Sequence, residues 1–173
     1  RGGLAFLRRA RGEKAEAFRD MAAILEDNED YGFGWAMALA WAQEDEAWSA
    51  GRALLQAAPA HMRERVEFEC DRLDFLAASG VDAIDLDEPW TTLVDAFPDD
   101  PVVLAGAFDH FLDSGRLAPA REILDRMGNR APAVSARCAM RLACHLEDEK
   151  RAVQTARRLL RSPDRKADAQ SVD

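Results

Sequence analysis

Residues 101–132 read PVVLAGAFDHFLDSGRLAPAREILDRMGNRAP, and their pattern is the clearest indication of the fold class of the chain. Its apolar residues recur every three or four positions on both sides of Gly115, which is the pattern of two amphipathic helices joined by a glycine turn. Pro132 then stands where a following helix would begin. The stretch predicts one helical hairpin, and its apolar positions are Leu104, Ala107, Phe108 and Phe111 before the turn and Leu117, Ala120, Leu124 and Met127 after it.

The glycine turn recurs along the chain. Gly12, Gly80 and Gly115 are separated by 68 and 35 residues, which fits a unit of ~34 residues in which one turn lacks its glycine. That turn falls at Glu46, within a short polar segment between two apolar stretches. A fixed period of this length without strand signals is typical of stacked helical hairpins. Frequent alanine and leucine with a single tyrosine also favour helix over sheet.

The unit resembles the tetratricopeptide repeat, whose loose pattern is W-x2-L-G-x2-Y, then A-x3-F, then P. Pro98 and Pro132 lie 34 residues apart at matching ends of two units, and Trp35 with Leu39 opens a first helix. Ala17 and Gly51 hold the small position that lets two helices cross closely. The resemblance implies an all-α, right-handed solenoid of four to five helix pairs over residues 1–161, followed by a polar tail over residues 162–173.

Two segments interrupt the regular hairpins. The pattern predicts that the longest helix runs from His61 to Ser79 and ends at Gly80. The stretch from Val81 to Glu88 is rich in aspartate and is expected to be irregular. A short helix from Trp90 to Phe97 should then begin behind Pro89, because proline is tolerated in the first turn of a helix.

The resemblance also implies a binding surface, since the first helices of successive tetratricopeptide units line a concave groove. The implied lining is mostly acidic with an aromatic residue at one end, and this favours a protein or peptide partner that carries Lys or Arg. Ordinary solvated helix faces would carry the same carboxylates, so both interpretations stand at this point. The i, i+4 pair Glu67 and Asp71, for example, is common on acidic helices. The predicted partner-binding residues are Phe33, Glu44, Glu67, Asp74, Asp109, Asp113 and Glu147.

Charge and hydropathy narrow the range of partners. Residues 21–100 hold four basic and nineteen acidic groups, a net charge of −15, which disfavours nucleic acid and anionic membranes. The longest apolar run, Tyr31 to Ala42, is shorter than the ~18 residues that a membrane span needs. The start of the chain lacks the pattern of a signal peptide. Three cysteines, Cys70, Cys138 and Cys144, are expected to be buried free thiols in a reducing cytoplasm.

Motifs that carry catalysis are missing from the sequence. No spacing suits a metal site, a phosphate-binding loop or a nucleophile elbow, so no cofactor and no metal are expected. The sequence therefore predicts a non-catalytic adaptor or scaffold. Three alternatives stay open: a helical accessory domain of a larger enzyme such as a bacterial transferase, a small acidic chaperone for secreted proteins, and self-association through an uncapped end. The first is motivated by the incomplete first unit, which together with Arg1 at the start suggests a piece of a longer protein or a processed chain.

Overall fold

The computed structural model describes residues 2–128, 132–146 and 154–155, and every regular element in that part of the chain is an α-helix. The predicted all-α class is therefore confirmed. The helices are α1 (Gly2–Ala10), α2 (Lys14–Asp27), α3 (Gly32–Glu44), α4 (Trp48–Ala57), α5 (Ala60–Arg63), α6 (Val66–Ala78), α7 (Ala83–Ala96), α8 (Pro101–Asp113), α9 (Leu117–Met127) and α10 (Pro132–His145). The first helix predicted after Pro132 is present as α10, whereas the polar tail predicted over residues 162–173 lies outside the described residues.

Four interhelical turns share one backbone geometry. Gly12, Gly80 and Gly115 have φ angles of 81°, 88° and 75°, and Glu46 adopts the same left-handed region with a φ of 53°. In each turn this residue donates its N–H to the carbonyl three residues before it. The next residue donates to the carbonyl five residues before itself, which completes a Schellman motif. The turns are 34, 34 and 35 residues apart, and the prediction that Glu46 marks the turn without a glycine is confirmed.

The chain divides into two compact units, Arg1–Trp90 and Thr91–Asp173. In the first unit, α3 is central, because it packs against α2, α4 and α6, while α1 packs against α2. In the second unit, α8, α9 and α10 pack against one another. The large buried side chains of the first unit include Met21, Leu25, Trp35, Leu39, Trp41, Phe68 and Phe75, and those of the second include Leu104, Phe108, Phe111, Met127 and Leu142.

The predicted apolar stripes are confirmed where the hairpins are most regular. The predicted Trp35 and Leu39 are buried on α3 together with Ala38 and Ala42, and the four predicted positions of α8 are also buried. In α9 the predicted Leu124 is half-buried and its neighbour Ile123 is buried, and in α4 the buried leucine is Leu54. Gly51 on α4 and Ala120 and Met127 on α9 are buried as predicted, so both helices keep the predicted face toward the core.

The small residue predicted in α4 has the expected packing role. A Cβ atom built on Gly51 would lie 2.2 Å from Cζ of Phe75 and 3.2 Å from Cβ of Ala42. The ring of Phe75 therefore rests directly on the backbone of α4. This contact brings α4 and α6 together within the first unit.

Two predicted segments were wrong. α7 begins at Ala83, six residues before Pro89, and not after the proline as predicted. Asp82 caps this helix, because its Oδ1 accepts the N–H of Ile84 at 2.9 Å. Leu86, Trp90 and Val94 form a buried i, i+4, i+8 stripe, whose burial favours helix on both sides of the proline. The predicted single helix from His61 to Ser79 is divided into α5 and α6 by an extended Arg65, with φ −80° and ψ 133°.

None of the described helices combines the length and the hydropathy that a membrane crossing requires.

Candidate functional site

A cleft of about 300 Å³ lies in the first unit between the beginnings of α3 and α6, and we call it the α3–α6 cleft. Gly32 and Ala36 are one helical turn apart on α3, and because Gly32 has no side chain and Ala36 only a methyl group, the space between the helices stays open. Its volume is at the lower end of the range for ligand pockets, about 300–1,000 Å³. It is lined by Gly32, Phe33, Ala36, Met62, Arg65, Glu67, Phe68 and Asp71.

The apolar part of the cleft is a fixed aromatic surface. Phe33 is 59% exposed, although its ring stacks on Phe6 with centroids 6.1 Å apart and lies 6.1 Å from the ring of Tyr31. Phe68 is buried and meets Trp35 edge to face at 6.1 Å. A large aromatic ring that is held by neighbours yet open to solvent can bind a partner without losing much conformational freedom.

The charged part of the cleft contains two carboxylates on one face of α6. Glu67 and Asp71 are one turn apart, and Asp71 is half-buried. Burial first, and then the negative charge of Glu67, raise the pKa of Asp71 to about 6. Within residues 2–128, 132–146 and 154–155, no hydrogen bond or ion pair involves either side chain. At neutral pH, Asp71 therefore carries a charge that no cation of the described chain compensates.

One cation also lines the cleft. A Cβ atom built on Gly32 would lie 3.0 Å from Nη1 of Arg65, so the missing side chain at Gly32 makes room for this guanidinium. Arg65 is exposed and forms no ion pair with the described residues. Its charge does not offset the effects of burial and Glu67 on the pKa of Asp71.

Two polar contacts hold the loop before α3 in place. His61 Nε2 lies 2.8 Å from Asp30 Oδ1 and joins α5 to this loop. The indole Nε1 of Trp35 donates to the carbonyl of Glu29 at 2.9 Å. Because the loop leads directly into the cleft residues of α3, these contacts keep that wall of the cleft in position.

The predicted site residues do not all lie together. Phe33 and Glu67 line the α3–α6 cleft, whereas the exposed Asp74 lies on α6 outside the cleft lining. Glu44 binds Arg9 with an Nη2–Oε2 distance of 2.6 Å, and Arg9 also pairs with Asp45 and lies 5.3 Å from the ring centroid of Trp41. Glu44 therefore already has a cation from the same chain.

In the second unit, Asp109 and Asp113 also have a partner within the chain. Arg141 of α10 pairs with both carboxylates of α8, and its Nη2 lies 2.9 Å from Asp113 Oδ1. These two predicted residues thus join α8 to α10. Glu147, the remaining predicted residue, lies outside the described residues.

Sequence reasoning missed Asp71 as a site residue. Its i, i+4 spacing from Glu67 was visible, but that spacing is common on acidic helices and indicates nothing by itself. The distinguishing property is half-burial beside Phe68, and burial depends on how α3 packs against α6. The sequence signal that could have indicated the cleft is the pair of small residues Gly32 and Ala36, one helical turn apart on α3.

The remaining reactive side chains do not form a second site. Cys70 and Cys138 are buried, as predicted, whereas Cys144 is exposed and the prediction for it was wrong. Burial raises the pKa of Cys138 to about 11, so it stays a thiol at neutral pH. Among the described residues, no three His, Cys, Asp or Glu side chains lie close enough to share a metal ion.

Comparisons of the chain with protein-family models, curated proteins and solved structures find no significant match.

Proposed function

We propose that this chain is a non-catalytic protein-binding module, an adaptor or scaffold, whose helical hairpins stack as a right-handed, tetratricopeptide-like solenoid. A partner segment binds to the face shared by the first helices of the hairpins in the first unit. The α3–α6 cleft anchors that segment.

The recurrence of the turns supports the solenoid. The four Schellman motifs at Gly12, Glu46, Gly80 and Gly115 follow the period of a hairpin repeat. Within the first unit, α1 contacts α3 through Phe6 and Phe33, and α3 packs against α6. Within the second unit, α8 packs against α10. First helices of successive hairpins therefore neighbour each other inside each unit, as a stack requires.

The observation that carries the function is the composition of the α3–α6 cleft. Phe33 is an exposed aromatic anchor, and Glu67 and Asp71 are carboxylates without a cation from the described chain. A merely solvated helix face would not place a half-buried carboxylate beside an aromatic surface. Aromatic anchors surrounded by charged groups are typical of protein interfaces.

The binding face in this proposal is smaller than the predicted acidic groove. Glu44, Asp109 and Asp113 pair with Arg9 or Arg141, so a basic partner would have to displace these arginines. Displacement would cost part of the energy that the new pairs supply. Phe33 and Glu67 are thus the predicted residues on which the proposal rests.

Site-specific photo-crosslinking tests the proposal. Benzoylphenylalanine is placed at position 33 or, as a control, at Ile84, which is 67% exposed on α7. Ala36→Leu is then added to fill the cleft without changing its charge, with Ala53→Leu on exposed α4 surface as the matched control. Native lysate is irradiated, and adducts are identified by mass spectrometry.

We expect a defined partner to be crosslinked from position 33 but not from position 84. This crosslink should be lost with Ala36→Leu and kept with Ala53→Leu. Equal labelling at both positions, or labelling that Ala36→Leu leaves unchanged, would contradict a binding site in the cleft. An adduct between two copies of the chain would instead support self-association. That second candidate is favoured by the exposed apolar side chains of Leu4 and Leu7 on α1, which are 50% and 57% exposed.

A further inference from the structure

We infer that the α3–α6 cleft binds an arginine side chain of the partner segment, an inference that rests on the proposed function. The guanidinium lies between Glu67 and Asp71, and the aliphatic stem lies along Phe33 and Phe68. Four features of the cleft support this occupant.

The first feature is the spacing of the carboxylates. Glu67 and Asp71 lie one turn apart on the same face of α6, and the described chain offers neither of them a hydrogen bond or an ion pair. A guanidinium is planar and carries five N–H donors, so it can bridge two neighbouring carboxylates at once. A lysine ammonium is a compact, strongly hydrated charge and fits this arrangement less well.

The second feature is the environment of Asp71. Burial and the nearby Glu67 favour its protonated form, so the free protein pays to ionise this side chain at neutral pH. A cation between the two carboxylates would favour the ionised form of both. Binding of a guanidinium thus compensates a charge that the folded chain leaves uncompensated.

The third feature is the aromatic surface. Phe33 is 59% exposed and is held in place by stacking on Phe6. Guanidinium groups bind favourably to aromatic faces, and the methylene stem of arginine packs on apolar surface. The cleft therefore offers an apolar wall and a charged wall that match the two halves of one arginine.

The fourth feature is size. The cleft holds about 300 Å³, which admits one long side chain and part of its backbone but not a folded element. Arg65 lies beside Gly32 and carries the same charge as the ligand. Its guanidinium is available to donate to a main-chain carbonyl of the bound segment. The competing occupant is an acidic side chain that pairs with Arg65, and the experiment must distinguish it from arginine.

The experiment is an NMR titration of the full ¹⁵N-labelled chain with N-acetyl-arginine-N-methylamide. The matched probes are the citrulline analogue, which keeps the shape and loses the charge, and the lysine and glutamate analogues. We expect the arginine probe to shift the amides of residues 32–36 and 65–71 and to bind at least about tenfold more tightly than citrulline. Glu67→Gln and Asp71→Asn should each weaken it about fivefold, whereas Glu26→Gln on α2 should not.

Equal affinity for citrulline and arginine would overturn charge recognition. Preference for the glutamate probe, abolished by Arg65→Ala, would overturn the choice of occupant. If the arginine probe fails while crosslinking from position 33 remains sensitive to Ala36→Leu, the binding module stands and only the arginine assignment falls. If both experiments fail, the proposed function falls with it.

Discussion

The turn residue at position 46 carries a backbone conformation that glycine adopts at the three equivalent turns. Glu46 has a φ of 53° and is exposed, and no hydrogen bond or ion pair of its side chain with the rest of the described chain is present. A non-glycine residue in the left-handed region costs roughly 1–2 kcal/mol. The chain therefore tolerates local strain here to keep the spacing of its turns.

Replacing Glu46 with glycine should release that strain. We expect Glu46→Gly to raise the free energy of unfolding by about 1 kcal/mol, because the gain exceeds the extra entropy that glycine adds to the unfolded chain. Urea denaturation measures the change. Gly115→Ala is the matched control: no atom lies within 4 Å of its added Cβ, so it should lose about 1 kcal/mol through the backbone alone. An unchanged stability for Glu46→Gly would show that this turn is not strained.

Asp71 should make the stability of the fold depend on pH. Its pKa is about 6 when folded, against an ordinary value of 3.8, so the folded state binds more protons between these values. Stability should fall as pH rises from about 4 to about 6 and stay lower above that range. Asp71→Asn should therefore raise the free energy of unfolding at pH 8 by about 1 kcal/mol, a figure reduced for partial solvent exposure, and change it little at pH 4.

Urea denaturation of Asp71→Asn at the two pH values measures this effect. The charged or titratable neighbours in the cleft region, Glu67, Arg65 and His61, are the same in both proteins, so their contributions largely cancel in the difference. Glu88→Gln, on the exposed face of α7, is the control and should give similar small changes at both pH values. An Asp71→Asn effect of equal size at pH 4 and pH 8 would contradict the raised pKa.

At the level of the helices, α4 and α6 meet through Gly51 and the ring of Phe75. Alanine normally stabilises a helix interior by about 1 kcal/mol relative to glycine. Here the added Cβ would lie 2.2 Å from a fully buried ring, and overpacking of a core costs roughly 1–3 kcal/mol. We therefore expect Gly51→Ala to lower the free energy of unfolding by about 1–2 kcal/mol, measured by thermal or urea denaturation.

A double mutant identifies the cause of that loss. Phe75→Leu makes room for the added methyl group, so Gly51→Ala should cost less in the Phe75→Leu background than in the native chain. Additive effects of the two changes would show that the ring contact is not responsible. A stabilising Gly51→Ala would mean that helix propensity outweighs packing at this position.

The helices that the sequence predicted well are those with a local signal. The turns at Gly12, Glu46, Gly80 and Gly115 follow from spacing, and the α3 stripe follows from helical periodicity. The start of α7 was not predicted because a proline typically marks the first turn of a helix, whereas here the buried stripe of Leu86, Trp90 and Val94 continues the helix through Pro89. The break at Arg65 has no proline or glycine to mark it.

The candidate site was harder to predict because its chemistry depends on contacts between helices. Asp109 and Asp113 looked available to a partner, but Arg141 follows 32 and 28 residues later and reaches both when α10 packs on α8. The sequence does not distinguish Asp71 from other helix-surface carboxylates, whereas in the folded chain it is half-buried and lines the cleft. Sequence patterns locate the faces of helices, whereas ion pairing and burial between faces follow only from packing.

For the molecule as a whole, charge is distributed unevenly. The net charge is −9, but residues 21–100 alone carry −15, and the α3–α6 cleft lies within that region. A charge excess of this size attracts basic partners from a distance, and salt screens it with a Debye length of about 8 Å at physiological ionic strength. In the proposed module, the overall charge should therefore speed association with the partner (encounter), and contacts in the cleft should slow its dissociation (retention).

This division of roles predicts distinct kinetic effects. Binding of the partner segment that crosslinking from position 33 identifies is then followed by stopped flow. Its association rate constant should fall about tenfold or more between 20 and 500 mM NaCl, and its dissociation rate constant should change less. Asp85→Lys with Glu88→Lys, two exposed positions on α7 outside the cleft, should slow association only. Glu67→Gln should mainly speed dissociation, because it removes a contact made in the bound state. If the α7 changes speed dissociation as much as Glu67→Gln does, then encounter and retention are not separated in this way, and the bound segment extends beyond the α3–α6 cleft onto α7.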